Sequence, residues 1–290
     1  MALPLPRSLS PSSVSSFKDC ALAFRFAYVD RLPEPPSVPA SRGTLVHRAL
    51  EHLMTREPGD RTREAAHADL ATAIDELRDH PEFAGLGLTP DEQATFEGEA
   101  AELVDRYFQL EDPRMIRPIG IELKMQAALS DDVVIRGIID RLELDEDGEL
   151  VVTDYKTGRV PGEQWEQKSL QGVHVYALLC QEMLGRRPAR VQLLYLSEPA
   201  SIVATPTEQS VRGVARRNLA VYEAVRGACR RDDFRPSPGP RCDWCSFRKY
   251  CPAFGGDPAD AVELRIEAAE NEAIAAGNPP LFTASGAPTT

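Results

Sequence analysis

The chain has 290 residues, 42% hydrophobic and 27% charged, enough to bury a large core without help from disulfides or oligomerisation. No stretch approaches the roughly 18 consecutive apolar residues of a membrane helix, and the start, MALPLPRSLSPSS, lacks a basic segment followed by an apolar run; a cytoplasmic address without a membrane partner is expected. The net charge of −12 argues at face value against a polyanionic partner, but residues 57–112 carry sixteen acidic and four basic side chains, whereas residues 208–250 carry ten basic and five acidic ones.

Ser12 to about Leu32 reads as a helix, with serines to cap it and Phe17, Ala21, Phe24 and Tyr28 at three-to-four spacing, stopped by the prolines from Pro33 on. A Pro/Ser linker follows. The next helix is expected from Gly43 to about Arg56, with Leu45, Leu50 and Leu53 apolar. The acidic block, about 57–115, reads as a helical insertion of two or three amphipathic helices broken at Pro81 and Pro90. From Ile119 the β-branched runs IGIELKMQAAL, VVIRGIIDRLEL and ELVVTDYKTG predict three strands of one sheet. A helix over 163–184, a buried strand in ARVQLLYLSE and a helix over 207–230 complete the pattern; residues 257–290 read as a weak helix and frayed tail.

The DEDG of residues 145–148 is a hairpin signal, and a three-residue loop would place Asp140 opposite Asp154. Side chains two apart on a strand share a face, so Asp154 and Lys156 would point together, with Asp140 beside them. Convergent carboxylates each tend to take up a proton unless a cation lies between them. Mg²⁺ or Mn²⁺, held by hard oxygen ligands, fits such a pair, and a metal-acidified water beside an ammonium is the chemistry of phosphodiester hydrolysis. The ordinary alternative is a solvent-facing strand with alternating polar residues, and a DxK taken alone does not exclude it.

The stretch RGIIDRLELDEDGELVVTDYKTG resembles the paired motifs of the PD-(D/E)XK nucleases in their RecB-like branch: a GxxD strand, a DxK strand and a Thr-Gly exit. GTLVHRALE at 43–51 is similar to the branch's upstream GxxxHxxxE helix, which implies a metal-ligand role for His47. Glu51 and Glu122 are further acidic groups to which no role is assigned. The resemblance implies a mixed α/β (α+β) core like that of restriction endonucleases: a central mixed sheet flanked by helices, with catalysis by Asp140, Asp154 and Lys156 and metal bound by His47, Asp140 and Asp154. The branch's QxxxY helix is matched by LQGVHVYALL at Tyr176, an expected active-site residue, but Gln171 stands five residues before it, not four, and Gly172 occupies the glutamine position.

Cys242, Cys245 and Cys251 lie within ten residues, spaced to wrap a metal centre; structural zinc, with a fourth ligand from Cys229, Cys180 or a distant residue, is one reading of that spacing. RecB-like nucleases with an iron staple, AddB-type and CRISPR-adaptation nucleases among them, place one cysteine far upstream and three after the core. The resemblance therefore implies a four-iron four-sulfur cluster on Cys20, Cys242, Cys245 and Cys251, closing a loop of more than 220 residues. It implies a nuclease domain over 1–256, acting on DNA, with an exonuclease working on single-stranded ends in repair or recombination as the leading expectation. No GxxxxGK[ST] loop is present, so any helicase would be a partner protein. The alternatives are a CRISPR-adaptation nuclease and a non-catalytic iron–sulfur DNA-binding scaffold. Trp244, Phe247 and Tyr250 could stack on bases or pack around the cluster.

Overall fold

The computed structural model describes residues 3–261 and Leu264, so most of the expected tail lies outside the described residues. Strand β1 (Ser8–Leu9) precedes helix α1 (Pro11–Asp19). The single helix expected to about residue 32 is broken at Cys20, whose backbone is extended (φ −158°, ψ 110°), and α2 (Ala21–Phe24) and a π-helical turn (Arg25–Val29) follow. The apolar spacing survives the break because Phe24 packs edge-on against Phe17 and stacks on Tyr28. Helix α3 (Val38–Thr55) starts earlier than Gly43, inside the expected linker, since Pro39 sits in the first turn, where its missing N–H costs nothing.

The acidic block forms α4 (Arg63–Leu77), α5 (Pro81–Ala84) and α6 (Pro90–Tyr107). Pro81 and Pro90 begin helices, and Thr89 with Glu92 closes a capping box on α6. Strands β2 (Pro118–Ser130), β3 (Val133–Leu144) and β4 (Leu150–Lys156) form the expected meander. Helix α7 (Glu163–Leu184) ends at Gly185, whose φ of 67° is the left-handed cap glycine tolerates. Strands β5 (Arg190–Tyr195) and β6 (Ala200–Ala204) and helix α8 (Glu208–Arg231) follow. The sheet runs β1-β3-β4-β5-β6, with β2 on β3; β1–β3 and β4–β5 are parallel and the other pairs antiparallel.

Two compact units result. The larger comprises Arg7–Pro11 and Pro35–Ala220, the smaller the described parts of Met1–Pro6, Ser12–Glu34 and Val221–Thr290. In the larger unit helices cover both faces of the sheet. Val175, Leu178 and Leu179 of α7 pack with Ile135, Ile139, Val152 and Leu193 on one side, while α3, α4 and α6 pack with Tyr155 and Leu194 on the other. Strand β4 is therefore buried along its length up to Lys156. In the smaller unit Leu22, Phe24 and Phe26 pack with Val225, Phe234, Phe247 and Tyr250. Among the described residues no helix is long and apolar enough to cross a membrane.

Candidate active site

The β3–β4 hairpin has the expected register. Arg141 pairs with Thr153 and Leu144 with Leu150, and the loop is closed by Asp145 N–H donating to the Glu149 carbonyl (3.0 Å). The ladder ends at Arg141 and Thr153. One step further, Asp140 places its carboxylate where a backbone carbonyl would otherwise stand, and Oδ2 accepts the Tyr155 N–H at 2.7 Å. Asp154 points toward α7, buried, where its Oδ1 accepts the Tyr176 hydroxyl at 3.1 Å. Lys156 Nζ forms an ion pair with Asp154 Oδ2, an oxygen that is otherwise buried without a hydrogen bond. A solvated polar face is thereby excluded for Asp154.

Helix α3 supplies His47 from the opposite side of β4. Its Nε2 lies 3.1 Å from the Tyr155 carbonyl oxygen and its Nδ1 3.5 Å from Asp140 Oδ2. Donation from Nε2–H to that carbonyl leaves the Nδ1 lone pair facing the carboxylate, the tautomer a metal ligand needs. Burial lowers the His47 pKa, with Asp154 opposing and Lys156 reinforcing that shift, so the ring is held neutral. Burial and the charge of Asp154 push the Asp140 carboxyl well above its ordinary range. Burial acts to lower the Lys156 pKa, but Asp154 and Asp140 outweigh it, and the net shift is upward; the side chain stays an ammonium.

The structure adds a residue to which the sequence assigned no role. His47, Glu122 and Asp140 can bring their ligand atoms within 4.8 Å of one another, and among the described residues they form the one such group. Asp154, expected in that set, stands beside it. Glu122 lies between the pairs Ile121–Arg141 and Leu123–Ile139, opposite Asp140, with φ at 47°. A β-strand glutamate in the left-handed region is strained, and such strain is concentrated at functional sites. The carboxylate of Glu122 is raised above its ordinary range by burial and then by Glu51. Glu51 is ion-paired with Arg48 at 2.7 Å and lines, with Gly43, Thr44, His47, Glu122 and Thr157, a cleft of about 740 Å³. In the sequence Glu122 carries no distinguishing signal, because IGIELKM alternates apolar residues with Gly120, Glu122 and Lys124 as any half-exposed strand does. The side chain of Gln171 lies outside the described residues.

In the smaller unit Cys20, Cys242, Cys245 and Cys251 line one cavity with Leu22, Phe26 and Phe247, and all four are free thiols. Their sulfurs are not gathered as a single-ion site would gather them. Cys245 is raised by burial, with smaller contributions from the other three cysteines, and the Gly239 N–H donates to Cys242 Sγ at 3.3 Å. Cys180 and Cys229 are buried; the Cys180 thiol is pushed up to about 12 by burial, as expected for a small core residue. The basic run is partly neutralised by ion pairs: Arg212 with Glu208, Arg226 with Glu223, Arg235 with Asp233, Arg241 with Asp19 and Arg248 with Asp243. Phe247 and Tyr250 are buried around Phe26, whereas Trp244 is 81% exposed.

With that geometry in view, the family follows. The profile of the PD-(D/E)XK nuclease superfamily matches residues 8–252, and the chain belongs to that superfamily. It is thus a nuclease, a hydrolase of phosphodiester bonds in a superfamily that uses divalent metal ions and takes DNA as substrate. Similar proteins include the Gene 69 protein of Mycobacterium phage D29, 23% identical over 84% of this chain and 96% of the relative, and the Gene 69 protein of Mycobacterium phage L5, 28% identical over 49% and 45%. Among solved structures, a "Putative exonuclease" from Eubacterium rectale is matched over 82% of this chain and 93% of its own, at 12% identity and a TM-score of 0.48. SSO0001 is matched over 73% and 94%, at 15% identity and a TM-score of 0.35.

Proposed function

We propose that the protein is a Mg²⁺- or Mn²⁺-dependent exonuclease of the RecB-like kind that degrades single-stranded DNA from an end, in repair or recombination. The observation carrying this reading is the convergence of His47, Glu122 and Asp140 beside the Asp154–Lys156 pair. The donor set suits a hard divalent cation: a neutral imidazole, carboxylates whose mutual repulsion favours protonation in its absence, and a buried Asp154 oxygen lacking a hydrogen bond. His47, Asp140 and Asp154 hold the metal in this reading, with Glu122 as a further ligand. When bound, the metal acidifies a water and offsets charge developing on the phosphate.

The protein's own groups do the rest. Lys156, kept as an ammonium by Asp154, orients the attacking water and attracts the scissile phosphate; it is not the proton acceptor. Tyr176 holds Asp154 in place through its hydroxyl. The cleft beside His47 has the size of a ligand pocket and would receive the end of the strand.

A four-iron four-sulfur cluster on Cys20, Cys242, Cys245 and Cys251 belongs to the same reading, in a cytoplasmic protein with reduced thiols. Four thiols lining one largely apolar cavity, three of them within ten residues of sequence, support that reading. The test is cleavage of single- and double-stranded DNA by the purified chain with and without Mn²⁺, beside Asp154→Ala and Lys156→Ala. Metal-dependent release of nucleotides from single-stranded ends, lost in both variants, is expected; activity surviving both would remove the assigned site.

A further inference from the structure

Arg141 follows Asp140 directly and is completely buried, although an isolated buried guanidinium is costly. Both of its terminal nitrogens are hydrogen-bonded. Nη1 and Nη2 clasp the Glu111 carboxylate, the latter at 3.0 Å. Nη1 also donates to the Tyr155 hydroxyl at 2.7 Å, and Nη2 to Thr153 Oγ1 at 3.1 Å. Nε lies 2.6 Å from Glu143 Oε2, an ion pair without hydrogen-bond alignment. Tyr107 braces Glu111 from α6, its hydroxyl donating to Oε1 at 2.7 Å.

Tyr155 is where this network meets the site. Its main-chain N–H is donated to Asp140, its main-chain carbonyl accepts from His47, and its ring lies edge-on to the His47 ring at 5.9 Å. One residue thus holds two candidate metal ligands through its backbone while its side chain is anchored by Arg141. We infer that Glu111, Arg141 and Tyr155 are positioning residues for the metal centre, and that the helical segment ending at α6 sets the spacing of His47 and Asp140 through Glu111. Stability alone does not explain the arrangement, since apolar residues of similar volume often replace a buried ion pair without loss.

The inference rests on the metal-site reading above, and its test separates the two. Mn²⁺ affinity of the full chain is measured by calorimetry without DNA, alongside thermal midpoints, for Tyr155→Phe, Glu111→Gln, Glu111→Asp and Asp140→Asn. Tyr155→Phe and Glu111→Gln should bind Mn²⁺ about tenfold more weakly, the low end of what loss of a supporting partner costs a metal site, with Glu111→Asp in between. Cleavage by these variants should recover at excess Mn²⁺. Wild-type Mn²⁺ affinity in both, with only a lowered thermal midpoint, overturns the inference. Should Glu111→Gln fail to fold, Tyr155→Phe, which removes one oxygen atom, decides alone. Wild-type affinity in Asp140→Asn would instead show that the metal-site reading itself is wrong.

Discussion

The Tyr176 hydroxyl and Asp154 Oδ1 are 3.1 Å apart, joining α7 to the centre of β4. Burial and the neighbouring carboxylates hold the phenol well above its ordinary pKa, so it remains a donor throughout the working range. Tyr176→Phe should lower kcat about tenfold with little change in KM, because a hydrogen bond to a charged group contributes roughly 1.5–3 kcal/mol and only part of it is felt in the transition state. Single-turnover kinetics at saturating Mn²⁺ check this; an unchanged kcat would remove Tyr176 from the site.

Lys156 should be harder to replace. Lys156→Met keeps the stem and removes the charge, and kcat should fall on the order of 10²–10³-fold, as when one stabilising donor is deleted from an active site. Lys156→Arg should not restore it, since the planar guanidinium cannot reproduce a compact ammonium against Asp154. Steady-state rates on an end-labelled single strand measure both.

Metal binding should grow tighter with pH. Because Asp140 is raised above its ordinary value, the native metal-free protein binds more protons than the unfolded chain between the two values, and its contribution to stability is lost as pH rises through that window. His47, lowered, contributes with the opposite sign, stability being lost as pH falls through its native value. Protonation of either group opposes the metal, so the rise in thermal midpoint caused by Mn²⁺ should be larger at about pH 7.5 than at about pH 5.5. Asp140→Asn should flatten most of that difference, as thermal scans at the two pH values would show.

Gly256 tests the cysteine cavity. A Cβ there would lie 2.1 Å from the Lys249 carbonyl oxygen and 2.8 Å from the Cys251 nitrogen, so Gly256→Ala must displace the turn carrying Cys251. Overpacking of this kind costs about 1–3 kcal/mol. Anaerobically purified protein should be brown with broad visible absorbance, and both Cys251→Ser and Gly256→Ala should lose that colour. Colourless wild-type protein containing zinc would refute the iron assignment.

The placement of Asp154 beside Lys156, and of Asp140 one step beyond the Arg141–Thr153 pair, was legible because pleat and hairpin length are strong local rules. The glycine of the GxxD run also has a physical reason: a Cβ on Gly137 would meet Leu179 at 3.0 Å and the Tyr176 ring at 3.2 Å, so its absence lets α7 approach the sheet. Glu122 was not legible, because its place depends on a left-handed residue inside a strand, which no periodicity signals. Arg141 escaped for a similar reason, since its partners, Glu111 and Tyr155, are distant in sequence. The break at Cys20 was hidden by apolar spacing that continues on both sides. Strands β1 and β6 are too short to stand out before their pairing is known.

The point at which the β3–β4 ladder gives way to a carboxylate ties folding and chemistry to one event. A slip of a single residue in that hairpin would carry the Tyr155 ring to the place of Asp154 and turn the Asp154 carboxylate and the Lys156 ammonium toward the apolar side chains of α3 and α6. The same slip would take the backbone N–H away from Asp140. Misregistered molecules would therefore be inert and not merely slower, so in a partly denatured sample the remaining activity should track the fraction of correctly paired hairpins, while activity per native molecule stays constant.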